Sequence, residues 1–368
     1  MPSIIDRYLI REIGLTLLAT TLVLLAIVMS HRLASYLSDV ANGLLARDAI
    51  FALLGLQAIE ILILLIPLAF LLSIMLALGR LYRDHEMTAL AACGYGPLST
   101  YRAVLLLAAP LALITAGLSL FLSPATMELQ FELLAKARKE AEVSMFMPGT
   151  FREVMEGRYV VYVGTLDDQE LHDVFVQSRE PDGNISIITG ERGRQEIDAQ
   201  DLRHIVLEHG YRYRGTPGQS DYEILHFEQA AIRIDTNAPE KSWKHRETLP
   251  TEQLWGSSDP INVAELHMRL NSPFQILVIA LWAPLLARSR PREGRYGRIV
   301  AALLIYAINF NLVGIGESWL SHSVVDGRLG LWWVHGLFLL FGGSLLLHYY
   351  STSHGIHLLK RALHRSTT

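Results

Sequence analysis

One short polar loop, at positions 79–94, carries the residue types best suited to chemistry in this chain. Arginines and carboxylates alternate there with apolar residues at helical spacing. Met87 and Leu90 belong to the apolar side, and Glu86 belongs to the charged side. This pattern predicts a short amphipathic helix. Gly94 suits its C-terminal cap, because glycine adopts the left-handed conformation without a steric penalty.

Two interpretations of the predicted helix remain open from its residues. It could rest on lipid headgroups, anchored by Arg80 and Arg83. It could also dock a cytoplasmic partner, with Glu86 as the charged contact. Anionic lipid repels an acidic side chain, whereas a protein partner can supply a cation for it. The residues alone weigh the two interpretations about equally.

Other kinds of chemistry find little support in the sequence. No cluster of acid, base and nucleophile lies in or near the apolar segments, which argues against a membrane-embedded enzyme. The phosphate-binding pattern Gly-x-x-x-x-Gly-Lys-Ser/Thr is missing, so any use of ATP and Mg²⁺ requires a partner. We predict no cofactor, no metal site and no nucleic-acid partner for this chain. The single cysteine, Cys93, excludes an intrachain disulfide.

The elements that must position the loop are six apolar runs. Charged residues make up 18% of the chain, against about 25% in a typical soluble protein. Apolar runs of about this length predict transmembrane helices. They cover residues 13–30, 49–79, 103–123, 273–287, 299–316 and 329–350. The fourth run is too short alone, and we expect a helix through 261–272 to extend it, with a bend at Pro273.

The positions of Lys and Arg predict the orientation of these spans, because short cytoplasmic loops carry the excess. Four segments on one side hold most of the basic residues: Arg7, Arg11, Arg80, Arg83, Arg102, Arg288, Arg290, Arg292, Arg295, Arg298, Lys360, Arg361 and Arg365. The short loops on the other side hold Arg32, Arg47 and Arg328. We predict a multi-pass protein of a bacterial inner membrane, with both termini cytoplasmic and the large middle domain periplasmic.

The middle domain shows a different periodicity. Residues 125–145 predict a polar helix, and after residue 150 an alternation of period two replaces the helical pattern. The predicted strands are 159–163, 173–177, 185–189, 204–207, 211–213, 223–227 and 231–234, with turn residues between them. Short strands at this spacing predict a β-sandwich or a jelly roll.

Several short stretches spread along the chain identify it as similar to a known family. They are Arg7-Tyr8-Leu9 with Arg11-Glu12, Leu37-Ser38-Asp39 with Gly43, Pro67-Leu68, Pro148-Gly149-Thr150-Phe151, and Ala264-Glu265-Leu266 with Arg269-Leu270. Together with the loop at 79–94, they resemble the permease family of the bacterial lipopolysaccharide export transporter. The loop sequence Arg80-Leu-Tyr-Arg-Asp-x-Glu-Met87 resembles the F-type rather than the G-type branch.

This resemblance implies a division of labour among several proteins. The chain would pair with a G-type permease above two copies of a cytoplasmic ATPase, which would bind the ATP and Mg²⁺. A single-span periplasmic bridge protein would join the complex. The assembly would extract lipopolysaccharide from the outer leaflet of the inner membrane and pass it to the bridge, towards the outer membrane.

The implied fold class is an α+β membrane protein, with six transmembrane α-helices and a periplasmic β-jelly-roll domain inserted between spans three and four. Residues 1–124 would form spans one to three, with a coupling helix near 83–92. Residues 125–260 would form the periplasmic domain with its flanking helix. Residues 261–353 would form spans four to six, and residues 354–368 a cytoplasmic tail.

The resemblance also assigns roles to particular residues. The predicted ATPase-coupling residues are Arg83, Asp84, Glu86, Met87 and Leu90. Arg32 would contact the phosphates of the lipid at the periplasmic end of span one, although a snorkelling side chain explains it as well. The apolar residues expected to face a lipid-filled lumen are Leu25, Ile305, Phe310 and Leu312.

Polar residues inside the spans have two possible roles. Glu60 should face protein or a cavity, as a helix contact near Gln57 or in transport. Asn309 and Asn311 are predicted to form hydrogen bonds between helices rather than to bind substrate.

The alternative function is a non-transporting membrane scaffold or signal-transmitting protein, which would link the periplasmic domain to a cytoplasmic partner. Such a protein needs no lipid cavity.

Overall fold

Long helices occupy both ends of the sequence, and a β-sheet occupies its middle. The computed structural model describes residues 3–41, 45–145, 148–154, 159–167, 170–179, 184–197, 203–216, 222–233, 244–288 and 295–365. The chain divides into two compact units. The helical unit comprises residues 1–31, 54–130 and 242–368, and the sheet unit comprises residues 32–53 and 131–241.

The helices are α1 (Ile4–Ala41), α2 (Ile50–Arg83), α3 (Glu86–Ala92), α4 (Pro97–Gly117), α5 (Ser123–Met145), α6 (Lys244–Thr248), α7 (Thr251–Leu254), α8 (Pro260–Ala287), α9 (Arg295–Ser321) and α10 (Trp332–Arg365). A 3-10 turn at Arg47–Ala49 precedes α2, and a π-helical turn at Leu118–Leu122 joins α4 to α5. The predicted polar helix at 125–145 is therefore confirmed, as the continuation of the third apolar helix.

Five helical stretches of the described residues are long and apolar enough to cross a membrane. They are Ile4–Ala41, Arg47–Arg83, Leu98–Ala137, Pro260–Ala287 and Gly297–Ser321. The sixth apolar stretch, Trp332–His348, is shorter. Its helical length is about 26 Å, against about 30 Å of hydrocarbon. Five candidate membrane helices are therefore present among the described residues, and the sixth span stays a prediction.

Helix α8 lies at the centre of the helical unit and packs against α4, α9 and α10. Trp282 is almost fully buried among the neighbouring helices. The helix is continuous from Pro260 to Ala287, with Pro273 and Pro284 inside it, so the extension of the fourth span through 261–272 is confirmed. The side chain of Asp259 accepts a hydrogen bond from the backbone N–H of Ile261 and caps the start of α8.

The described residues of the sheet unit form seven strands: β1 (Arg152–Val154), β2 (Tyr159–Tyr162), β3 (Thr165–Asp167), β4 (Glu170–Arg179), β5 (Ile185–Ile197), β6 (Arg203–Gly215) and β7 (Glu223–Arg233). All pairings are antiparallel, and the order is β1-β2-β4-β5-β6-β7, with β3 also paired to β4. The described strands thus form one meandering sheet. The β-domain is confirmed, and its jelly-roll topology stays a prediction.

A line of unpaired residues crosses this sheet and explains an error in the predicted strands. Asp173, Glu191 and His209 are skipped in the ladders on β4, β5 and β6. Asp173 and His209 adopt left-handed backbone angles, with φ of 52° and 50°. A kink of this kind interrupts the alternation of faces, as a β-bulge does. The strands predicted at 204–207 and 211–213 are therefore the two halves of β6.

Strand β7 shows the same interruption. Its ladder with β6 skips the position between Gln229 and Phe227. The strand predicted at 223–227 and the described part of the strand predicted at 231–234 are both parts of β7. The strands in this part of the sheet are consequently longer than the period-two pattern predicts, whereas the short strands β1 and β3 were not predicted.

Candidate functional site

The loop at 79–94 folds as a sharp turn followed by a short helix. Helix α2 continues to Arg83, the chain turns at Asp84 and His85, and α3 begins at Glu86. His85 has a φ of 59°, which lets the chain change direction within two residues. The predicted amphipathic helix is thus correct in place but shorter, because residues 79–83 extend the preceding apolar helix.

The predicted cap of this helix is confirmed. Gly94 has a φ of 88°. Its N–H donates to the carbonyl of Ala91 at 3.1 Å, and the N–H of Tyr95 donates to the carbonyl of Leu90 at 2.9 Å. This pair of bonds is the Schellman motif, which satisfies carbonyls that a helix end leaves free.

The side chains of the predicted coupling residues point in different directions. Arg83 and Asp84 are exposed and pair with each other at 3.0 Å. Met87 is only 6% exposed and belongs to the hydrophobic core of the helical unit, against which Leu90 also packs. Met87 therefore anchors α3 to its own chain, which corrects the expectation that it contacts a partner. Glu86 is half-buried at the start of α3.

Glu86 has a partner that the sequence did not reveal. The hydroxyl of Tyr8, in the second turn of α1, donates a hydrogen bond of 2.6 Å to Oε2 of Glu86. The short distance is typical of a hydroxyl donating to a carboxylate. The two residues are 78 positions apart, so no local pattern could pair them. Tyr8 stood out only as part of the Arg7-Tyr8-Leu9 stretch.

Two further polar contacts join the start of α1 to the segments around α3. Arg80, near the end of α2, forms an ion pair with Glu12. Arg102, in α4, forms an ion pair with Asp6, which is fully buried. The hydroxyl of Tyr95 also lies 3.0 Å from Oδ1 of Asp6. Burial, and then this hydrogen bond, raise the pKa of the Tyr95 phenol.

The start of α1 is itself well defined. The backbone N–H of Asp6 donates to Oγ of Ser3 at 3.1 Å, and the N–H of Ser3 donates to Oδ2 of Asp6 at 2.7 Å. These reciprocal bonds form a capping box with aspartate in place of the usual glutamate. Asp6 therefore fixes both the first turn of α1 and its contact with α4.

The predicted substrate residues occupy two helices. Arg32 is exposed and Leu25 half-buried, both on α1. On α9, Ile305 and Leu312 are two turns apart and pack partly against the core, whereas Phe310 is 52% exposed on another face. The structure thus brings Ile305 and Leu312 to one face and separates Phe310 from them. An apolar groove of about 550 Å³ lies between α9 and α10, and Ile305 lines it.

The two asparagines of α9 behave differently. The side-chain amide of Gln275, in α8, donates a hydrogen bond of 2.6 Å to Oδ1 of Asn309, and both residues are buried. The predicted interhelical role of Asn309 is confirmed. Asn311 is exposed and donates to the carbonyl of Ala307, one turn back in its own helix, at 2.8 Å. The interhelical prediction for Asn311 is wrong, because its side chain points away from the neighbouring helices.

Glu60 lies partly within protein, as predicted for a carboxylate in an apolar helix. Its Oε1 is buried without a hydrogen-bond partner among the described residues. Neighbouring Gln57 accepts a hydrogen bond of 3.0 Å from the side chain of Gln130, in α5. This part of α2 is therefore joined to α5 by polar contacts.

A buried arginine to which sequence reasoning assigned no role, although it belongs to the stretch Arg269-Leu270, holds the chain ahead of α8. Arg269 is 4% exposed and forms an ion pair of 2.9 Å with Glu265. The same guanidinium donates to the backbone carbonyls of Leu249 at 2.9 Å and Glu247 at 3.0 Å, and to the hydroxyl of Thr251 at 2.9 Å. A buried charge is tolerated when it is satisfied in this way.

The surroundings of Arg269 extend the contact to the π-helical turn between α4 and α5. The hydroxyl of Thr251 donates to the carbonyl of Leu120, and the hydroxyl of Ser119 donates to the carbonyl of Arg269 at 2.8 Å. The carbonyl of Leu120 and the hydroxyl of Ser119 both belong to the π-helical turn. Burial, and then repulsion by Glu265, raise the pKa of the Glu247 carboxyl. The sequence does contain a signal for this site, namely an arginine directly ahead of the apolar part of α8. A charged residue in or beside a membrane span usually has a specific partner in the protein.

These features define a polytopic membrane protein with a β-domain inserted between its third and fourth apolar helices and a short helix at the turn between the second and third. The chain belongs to the lipopolysaccharide export system permease LptF/LptG family, whose model matches residues 7–348. The predicted family is therefore confirmed over nearly the whole chain.

Individual relatives match over the same extent. The chain is 27% identical over 338 residues to the lipopolysaccharide export system permease protein LptF of Escherichia coli strain K12, covering 91% of this chain and 92% of that protein. The LptF proteins of Escherichia coli O157:H7 and Shigella flexneri match with the same identity and coverage.

Proposed function

We propose that this chain is the F-type permease subunit of an ATP-driven transporter that extracts lipopolysaccharide from the inner membrane and passes it to a periplasmic bridge. One observation carries the proposal: the family match extends from residue 7 to residue 348, and so spans the first helices, the inserted β-domain and the last helices. A match confined to one domain would support a shared fold only. A G-type permease is the proposed partner within the membrane.

The proposed coupling to ATP rests on α3. A helix that is anchored by buried Met87 and presents Glu86 at its first turn offers a fixed carboxylate to a partner. The chain contains no phosphate-binding loop, so two copies of a cytoplasmic ATPase would supply ATP and Mg²⁺. Arg83 and Asp84 are exposed beside Glu86 and would complete the contact.

The proposed path of the lipid uses the apolar helices. Acyl chains leave a bilayer only for another apolar surface, since exposing them to water costs about 0.8 kcal/mol per CH₂ group. Leu25 on α1, with Ile305, Phe310 and Leu312 on α9, would contribute to that surface, and Arg32 would bind the phosphates at its rim. The sixth span, the cytoplasmic termini, the periplasmic jelly roll and the bridge protein belong to the same proposal.

Purification with native lipids tests the proposal. The tagged chain is expressed in its own cell membrane, extracted in a polymer that retains lipid, and analysed by mass spectrometry. We expect lipopolysaccharide, a second permease of the same family and an ATPase in one complex. Phospholipid alone, with neither protein present, would exclude the transporter and favour the scaffold function.

A further inference from the structure

Helix α1 is attached to the rest of the helical unit at one end. Its three buried residues, Asp6, Leu9 and Ile13, all lie near its N-terminus. Further along, large apolar side chains are open to the surroundings, with Leu18 and Ile27 both 61% exposed. We call residues 6–13 the α1 foot. Within the helical unit, the buried contacts of α1 are therefore concentrated at the foot, so a displacement of the foot is expected to change the direction of the whole helix.

The α1 foot contacts α2, α3 and α4, the three helices that meet at this loop. Glu12 pairs with Arg80 at the end of α2, and Asp6 pairs with Arg102 in α4. The third contact is the hydrogen bond from Tyr8 to Glu86 at the start of α3, and the hydroxyl of Tyr95, just beyond the end of α3, also lies 3.0 Å from Asp6. Any displacement of Glu86 therefore acts directly on the α1 foot.

Helix geometry converts a small movement at the foot into a larger one along α1. The helix runs without interruption from Ile4 to Ala41. The rise from Tyr8 to Ser30 is about 33 Å, at about 1.5 Å per residue. A tilt of about 5° at the foot would then shift Ser30 by about 3 Å, which is enough to change side-chain packing around the helix.

We propose that Tyr8 is the positioning residue that passes movement of α3 to α1, through its hydrogen bond to Glu86. The inference rests on the proposed function, in which an ATPase moves α3 and α1 contributes to the lipid path. Glu86 then has two roles, since one face of its carboxylate receives the partner while Tyr8 holds it to α1. Removing the Tyr8 hydroxyl separates these two roles. The bond from Glu86 to α1 is lost, whereas the charge of Glu86 is retained for the partner.

The test compares Tyr8→Phe with two controls in the complete complex, with lipopolysaccharide release and ATP hydrolysis measured in the same vesicles. For Tyr8→Phe we expect the ATPase to remain bound and the amount of lipopolysaccharide released per ATP to fall at least about fivefold, which corresponds to about 1 kcal/mol of lost coupling. Tyr222→Phe removes an exposed hydroxyl in the sheet unit and should change neither quantity.

Glu12→Gln is the matched control within the α1 foot, because its partner Arg80 lies in α2 rather than α3. We expect it to retain most of the release per ATP. An equal loss in Glu12→Gln and Tyr8→Phe would overturn the inference, since general weakening of the foot would then explain both. The inference would also be overturned if Tyr8→Phe failed to bind the ATPase while both control variants still bound it. The Tyr8 hydroxyl would then be needed for docking rather than for passing on movement.

A distance measurement reads the movement itself. Spin labels are placed at two exposed positions of the helical unit, Ser30→Cys on α1 and Ser318→Cys on α9, with Cys93→Ser as background. We expect a non-hydrolysable ATP analogue to shift the label distance in the complex with Tyr8 and to leave it unchanged with Tyr8→Phe. An equal shift in both contradicts the inference. Absence of lipopolysaccharide release from the unmutated complex would instead contradict the proposed function.

Discussion

The hydroxyl of Tyr8 lies 2.6 Å from Oε2 of Glu86, so the carboxylate proposed to receive the ATPase is already bonded to the first apolar helix of its own chain. This relationship joins the two parts of the molecule that a transporter must coordinate. One is the short helix at which ATP hydrolysis would act, and the other is a helix whose apolar face is open along most of its length.

Replacing Glu86 by alanine should weaken binding of the ATPase. Losing one partner of a charged contact at an interface commonly costs about 2–5 kcal/mol of binding free energy when the other charge stays buried. We therefore expect the dissociation constant to rise at least about thirtyfold. Titration of the purified ATPase against the permease pair in nanodiscs measures this change. Asp48→Ala is a suitable control, because that carboxylate lies in the 3-10 turn ahead of α2. Equal affinity for Glu86→Ala and the unmutated chain would contradict docking at Glu86.

Replacing Arg269 by alanine should destabilise the helical unit strongly. The substitution leaves Glu265 and three backbone carbonyls without their donor, and breaking a buried ion pair of this kind costs about 3–5 kcal/mol. Thermal unfolding in detergent, followed by tryptophan fluorescence, gives the measurement. Arg328→Ala, on an exposed loop, should leave the midpoint nearly unchanged. Similar midpoints for both variants would show that the carbonyls find other partners.

The two asparagines of α9 form a matched pair for measuring interhelical hydrogen bonding. Asn309→Leu removes the partner of buried Gln275, which should cost on the order of 0.6 kcal/mol, the average for polar contacts between membrane helices, and at most about 1.7 kcal/mol. Asn311→Leu removes only a bond within its own helix at an exposed position and should be close to neutral. Unfolding in denaturant compares the two. A larger loss for Asn311→Leu than for Asn309→Leu would refute this assignment.

Several features of the fold follow from local sequence. Gly94 ends α3 as predicted, because the left-handed position of a Schellman motif is a local requirement that glycine meets. Five apolar helices and the β-domain follow from periodicity and length. The halves of β6 were read as two strands, because the left-handed backbone at His209 breaks the alternation that defines a strand in the sequence.

Contacts between distant residues could not be predicted in the same way. The pairs Tyr8–Glu86 and Asp6–Arg102 join segments that packing alone brings together. The burial of Met87 also depends on which side of α3 meets the core, and seven residues are too few to define that side from periodicity. The sequence therefore located the short helix α3 correctly, but not the side chains that hold it.

Photo-crosslinking from Arg32 tests the proposed rim of the lipid path. The side chain is exposed on α1, and a cation there should attract the phosphates of lipopolysaccharide. We expect a crosslinker at position 32 to capture lipopolysaccharide, and Arg32→Glu to slow loading while the complex stays assembled. Capture from position 310 on α9 but never from position 32 would contradict the rim assignment without contradicting transport.

Reconstituted transfer tests the central claim most directly. The chain, a G-type permease and the ATPase are placed in proteoliposomes loaded with lipopolysaccharide, and transfer to a soluble bridge protein carrying a photo-crosslinker is followed over time. We predict that transfer requires ATP and both permeases and falls at least about tenfold with Glu86→Ala, in line with lost coupling of more than about 1.4 kcal/mol. Equal transfer with and without this chain, or ATP hydrolysis that never moves lipopolysaccharide to the bridge, would contradict its role as a lipopolysaccharide export permease.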